Sequence, residues 1–192
     1  MVNSRDTSYP DKKRLQFKIL DALYYISNGY KYTFVPFDNL YKQLHSNSEN
    51  EQEQILESFE YLRENRLVDS KALATASITH EGIKDLENIL LGLSGRTNHI
   101  LSRIDAPLTN QHEIKSIQNK RTEFLKKAYE LSKGSTRQPV SAFKIMDMLG
   151  YDQKTLERIY YYLEDEGLIK TYALGGDFTI TQKCIGQQAG NS

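Results

Sequence analysis

Between residues 153 and 170 the chain carries side chains spaced for polar recognition. Lys154, Arg158 and Tyr161 recur at intervals of four and three, so on a helix turning about 100 degrees per residue they share one side. An ammonium, a guanidinium and a phenol on successive turns can contact phosphate oxygens and a hydrogen-bonding edge. The Gln153 amide stands beside them near the helix start, and Lys170 lies beyond its end. In the competing reading Lys154 and Arg158 are solvated charges that pair with Glu157 or Asp165. One repeat upstream the positions of Lys154, Arg158, Tyr161 and Asp165 are held by Glu53, Glu57, Glu60 and Glu64. Four carboxylates on one helical side form either a solvated acidic face or a contact for a basic protein surface, and phosphates would repel them.

Other chemistries find less support. His45, His80, His99 and His112 stand on different elements, and no pair sits at i and i+4 with a carboxylate, so no metal site is expected. Cys184 is the single cysteine, which excludes an intrachain disulfide and a cysteine-based zinc cluster and leaves a buried spectator thiol as the simplest reading. A phosphate-binding glycine loop, a serine nucleophile elbow and a carboxylate pair in an apolar setting are all missing. No catalytic residue and no cofactor is therefore expected, and the chain does not read as an enzyme. The 13 tyrosines include Tyr160 to Tyr162, but consecutive helical residues diverge too far to build one stacking platform; most read as core packing.

Composition limits the possibilities further. Lysine plus arginine equals aspartate plus glutamate at 25 each within 192 residues, a balance that argues against strong non-specific affinity for nucleic acid. Residues 1 to 106 carry 13 basic and 15 acidic side chains, and the remainder 12 and 10. The apolar share of 39% suits a folded globular protein. No stretch approaches the roughly 18 apolar residues of a membrane span, and MVNSRDTSYP lacks the apolar run of a signal peptide. A cytoplasmic protein without a membrane partner is the expectation.

The elements that must position these residues come in two copies. ESFEYLRENRLVDS at 57 to 70 matches RIYYYLEDEGLIKT at 158 to 171, and the pairs Ile78-Thr79 and Ile180-Thr181 follow, with Ile83 and Ile185 beyond them. Upstream, Pro36 and Pro139 each open a short amphipathic segment, preceded by the longer LQFKILDALYYIS and TEFLKKAYELS. Each copy thus reads as three helices followed by two extended segments. On the third helices, Ile55, Phe59 and Leu62 face inward in the first copy, and Leu156, Ile159, Tyr160 and Leu163 in the second.

This order resembles the winged helix-turn-helix superfamily, and the endings YLRENRLV…ITHEGI and YLEDEGLIK…ITQKCI resemble those of bacterial and archaeal winged-helix regulators. The resemblance implies a mainly α fold with small β-wings, as tandem winged helix-turn-helix domains joined by a helical linker. The expected boundaries are a flexible N-terminus at 1–10, a first domain at 11–93, a helical linker at 94–120, a second domain at 121–186 and a flexible C-terminus at 187–192. Within the linker region a helix starting near Thr109 and running to about Ser132 presents Ile114 and Ile117, which need cover from the helix ending at Leu93 or from a second chain in a homodimer.

In such a fold the third helix enters the major groove. The leading expectation is a DNA-binding protein of the transcription-regulator type. The second domain would contact duplex DNA through Gln153, Lys154, Arg158, Tyr161 and Lys170, while the first dimerises or meets a protein partner through Glu53, Glu57, Glu60 and Glu64. The Gly175-Gly176 turn marks the second wing, and only Lys71 decorates the first. The alternative is a protein-interaction adaptor whose tandem winged helices serve a larger complex.

Overall fold

The computed structural model describes residues 9–71, 74–93, 107–172 and 176–189. Of its two units, Met1–Gln111 buries Ile55, Phe59 and Leu62 and His112–Ser192 buries Leu156, Ile159 and Leu163, while Tyr160, expected among the latter, is only partly buried.

In the first unit a long helix, α1 (Tyr9–Ser27), leads to a two-residue strand, β1 (Val35–Pro36), and then to α2 (Phe37–Gln43) and α3 (Glu49–Glu64). Strands β2 (Val68–Asp69) and β3 (Thr75–Ile78) follow, and α4 (His80–Leu90) closes the unit. The second unit repeats the plan with α5 (Gln111–Ser132), which begins just before the unit boundary, β4 (Val140–Ser141), α6 (Ala142–Leu149), α7 (Gln153–Asp165), β5 (Ile169–Thr171), β6 (Asp177–Ile180) and α8 (Gln182–Ala189). Each unit holds a three-stranded antiparallel sheet with its last strand in the centre, in the orders β1-β3-β2 and β4-β6-β5. The short strands β1 and β4 are not apparent in the sequence reading. Val35 pairs with Ala76 and Val140 with Phe178, and Pro36 sits in an edge strand, where its missing N–H leaves no central ladder position unfilled.

The sequence repeat has a structural cause. Ile78 and Ile180 are buried, and the threonine after each one closes its unit. Thr79 Oγ1 donates to the Arg66 carbonyl at 2.7 Å and accepts from the Gly82 amide at 3.1 Å, capping α4. Thr181 Oγ1 donates to the Gly167 carbonyl at 2.8 Å and accepts from the Cys184 amide at 3.3 Å. Arg66 and Gly167 both adopt positive φ, 60° and 65°, where the chain leaves the third helix.

The copies differ most between their second and third helices. The second unit turns sharply at Gly150 in the left-handed conformation, and Asp152 caps α7 through the Thr155 amide. In the first unit His45 holds the left-handed position, and Ser48 and Glu51 form a capping box. That box starts α3 about one turn earlier, so α3 has 16 residues and α7 has 13.

The expected boundaries shift accordingly. Tyr9 and Pro10 already belong to α1, residues 187 to 189 belong to α8, and the second unit takes in part of the stretch assigned to the linker. Residues 1 to 8 and 94 to 106 lie outside the described residues. Ile117 joins the core of the second unit together with Phe124, Phe178 and Ile159, and Ile114 is fully buried. Ile117, expected to need cover, has it within the second unit.

Candidate functional site

On α3 the inward residues Ile55, Phe59 and Leu62 are buried, with Ser58 beside them. That anchoring turns Glu53, Glu57, Glu60 and Glu64 outward, and all four are exposed. Arg63 on the same helix pairs with Glu60 at 2.5 Å, and both side chains are about half in solvent, so the pair offsets little of the charge. Glu57 borders a hollow of about 300 Å³ that Lys12, Arg14 and Lys18 of α1 also line. Exposed Leu56 and Tyr61 complete the outer surface of α3 with apolar area.

The five polar residues singled out in the second unit differ in exposure. Lys154 and Lys170 are exposed, whereas Arg158 is half-buried. Gln153 and the partly buried Tyr161 line a groove of about 360 Å³ between α6, α7 and the β5–β6 hairpin. The Gln153 amide donates to Glu157 at 2.9 Å, so the expected base-edge reader already serves a carboxylate. Glu164 lines the same groove and accepts from Thr171 Oγ1 at 2.5 Å, fixing the helix against the hairpin.

Aromatic rings provide the remaining lining. Phe143 is 47% exposed and Tyr172 49%, large apolar surfaces left open at the mouth. Tyr160 packs edge-on against Tyr161 at 5.9 Å and against buried Phe178 at 5.8 Å, which joins the groove wall to the core. Burial first, then the carboxylates of Glu164 and Asp177 and the Tyr161 phenol, push the Tyr160 hydroxyl up to about 12, so it remains protonated. Gly176 stands where a side chain would strike Phe143, at 2.6 Å from a built Cβ, and its φ is +74°. Gly175, expected to share the turn, lies outside the described residues.

Sequence reasoning overlooked this groove because Phe143, Glu157 and Tyr172 come from three elements. A wheel identifies the side opposite the core but not the flank that a hairpin will approach. Lys71, the single cation expected on the first wing, lies over the Phe34 ring at 4.5 Å. The Cys184 thiol is fully buried, and burial raises its pKa, which keeps it protonated. Among the described residues no group of three or more histidine, cysteine or carboxylate side chains could hold a metal ion, and no helix is long and apolar enough to cross a membrane.

No family model, curated protein or solved structure matches the chain.

Proposed function

We propose that the chain is a non-enzymatic adaptor of two winged helix-turn-helix modules that docks protein partners on the faces a DNA reader would turn to the major groove. The winged-helix reading draws support from the order of elements: a third helix, then an antiparallel hairpin joined by a short strand from between the first two helices. The docking reading rests on one observation, the carboxylates along both third helices. Glu53, Glu57, Glu60 and Glu64 stand out on α3, and Glu157 and Glu164 line the hairpin side of α7.

Magnitudes support a protein partner over a phosphate backbone. Two like charges about 4 Å apart repel by roughly 1 kcal/mol in water and about 4 kcal/mol near a protein surface. The exposed ammoniums of Lys154 on α7 and Lys170 on β5 do not outweigh the six carboxylates on the third helices of the two units. A basic protein surface reverses the sign of each of these interactions.

A second reading keeps one specific observation in its favour: Lys154 and Lys170 are exposed on the third helix and hairpin of one unit, where a duplex contact would need them. Site-specific photo-crosslinking in cells separates the two. A crosslinker replacing Glu60 is expected to give a discrete protein adduct that Glu53→Lys with Glu64→Lys removes. Nucleic-acid adducts from a crosslinker at Lys154, with none to protein from position 60, would establish the second reading instead.

A further inference from the structure

We propose that the groove between α6, α7 and the β5–β6 hairpin binds an arginine side chain presented by an extended segment of a partner protein. This inference deepens the docking reading above and rests on it. Three features of the groove converge on a planar cation. Phe143, Tyr161 and Tyr172 offer ring surface, and Phe143 and Tyr172 are nearly half exposed. Glu157 and Glu164 set carboxylates beside the rings; they accept from Gln153 and Thr171 respectively and have acceptor capacity beyond that. At about 360 Å³ the groove holds a side chain and a short stretch of backbone rather than a helix.

Arginine suits this arrangement better than lysine, because a guanidinium stacks flat on an aromatic face while its N–H groups fork onto carboxylate oxygens. The same helix already carries one such stack, for Arg121 Cζ lies 3.3 Å from the centroid of the Tyr162 ring. That guanidinium belongs to the unit's interior, and the groove repeats its chemistry at the surface. Phosphate is excluded by the same carboxylates, and a purely apolar peptide would leave them desolvated without a partner.

The test is an amide chemical-shift titration of the full chain with the peptide Gly-Arg-Gly-Arg-Gly, and in parallel with its citrulline counterpart, which keeps the shape and loses the charge. Expected are shifts centred on Gln153, Tyr161, Glu164, Tyr172 and Gly176, at about millimolar peptide for so small a probe. Tyr172→Ala should weaken binding about five- to tenfold and Glu157→Gln about threefold, and citrulline should not bind. Tyr172 and Glu157 lie on different elements, so one misfolded variant leaves the other informative. Equal binding of the citrulline peptide, or no shifts, overturns the inference. Shifts confined to Glu53, Glu57, Glu60 and Glu64 overturn the groove as the arginine site and leave the docking reading standing. Binding of a labelled duplex by the same sample, lost on Lys154→Glu with Lys170→Glu, overturns that reading and the groove inference with it.

Discussion

Asp21 and Gly82 show how single residues hold the first unit in shape. The Asp21 side chain is 3% exposed and accepts the backbone N–H groups of Leu108 at 2.6 Å and Thr109 at 3.0 Å, so the chain entering α5 is tied to the middle of α1. Hydrogen bonds to a charged group contribute about 1.5–3 kcal/mol each, and Asp21→Ala leaves one buried and one partly buried donor without this acceptor. The expected loss is about 2–4 kcal/mol in urea unfolding followed at first-unit amides; a loss below about 0.5 kcal/mol would show that water or another group takes over. At Gly82 a built Cβ falls 2.0 Å from the Leu67 carbonyl oxygen, a backbone atom that cannot swing aside. Gly82→Ala should therefore displace α4 and destabilise the unit by about 1–3 kcal/mol, read as a lowered thermal midpoint. An unchanged midpoint would mean that the packing of α4 on Leu67 is looser than described.

At the scale of elements, both third helices start on a carboxylate that backbone amides stabilise. Glu51 accepts from the Asn47 and Ser48 amides, and Asp152 from the Thr155 amide, and these bonds hold both carboxyls below their ordinary range. A depressed folded pKa stabilises the fold above the unfolded pKa, and the benefit is lost as pH falls through the folded value. On acidification below about pH 4 the first turns of α3 and α7 should fray before the cores open, seen as faster amide exchange at Glu51 and Thr155. Exchange there that stays slow until global unfolding would contradict the capping account. The same helices show how far sequence reaches. Apolar spacing located α1, α3, α5 and α7 and their buried faces, because burial of one stripe imposes the period. It did not locate β1 and β4, since two residues have no period, nor α8, whose GQQA ending carries no apolar stripe. For the candidate site it supplied Gln153 and Tyr161 but not Phe143, Glu164 and Tyr172, which line the same groove. Membership in the groove depends on which flank of α7 the hairpin covers, a tertiary fact.

For the whole molecule, the chain divides into two units, one for each copy of the repeat. The second unit's core runs from Ile117 to Cys184 and is built from that unit's own residues, with Phe124 and Phe178 stacked 5.7 Å apart at its centre. A fragment of residues 107–192 is expected to fold alone and to melt in one cooperative transition by circular dichroism. A fragment without a cooperative melt would show that it depends on the first unit. The two copies keep their inward residues and differ outward, where Glu53, Glu57 and Glu60 stand opposite Lys154, Arg158 and Tyr161 in the repeat. Even so, the second copy is less cationic than its sequence suggests, because Arg158 is half-buried and Glu157 and Glu164 line the groove. With 25 charges of each sign, long-range attraction to a polyanion has no net source.

The central claim, that these faces meet protein and not nucleic acid, is tested most directly by fluorescence anisotropy of a labelled duplex titrated with the full chain at about 50 mM salt, where phosphate contacts are strongest. The account predicts no saturable binding up to about 100 μM protein, the weak end of ordinary non-specific affinity. A Kd of about 1 μM or tighter that weakens steeply with added salt, and that Lys154→Glu with Lys170→Glu abolishes, would contradict it.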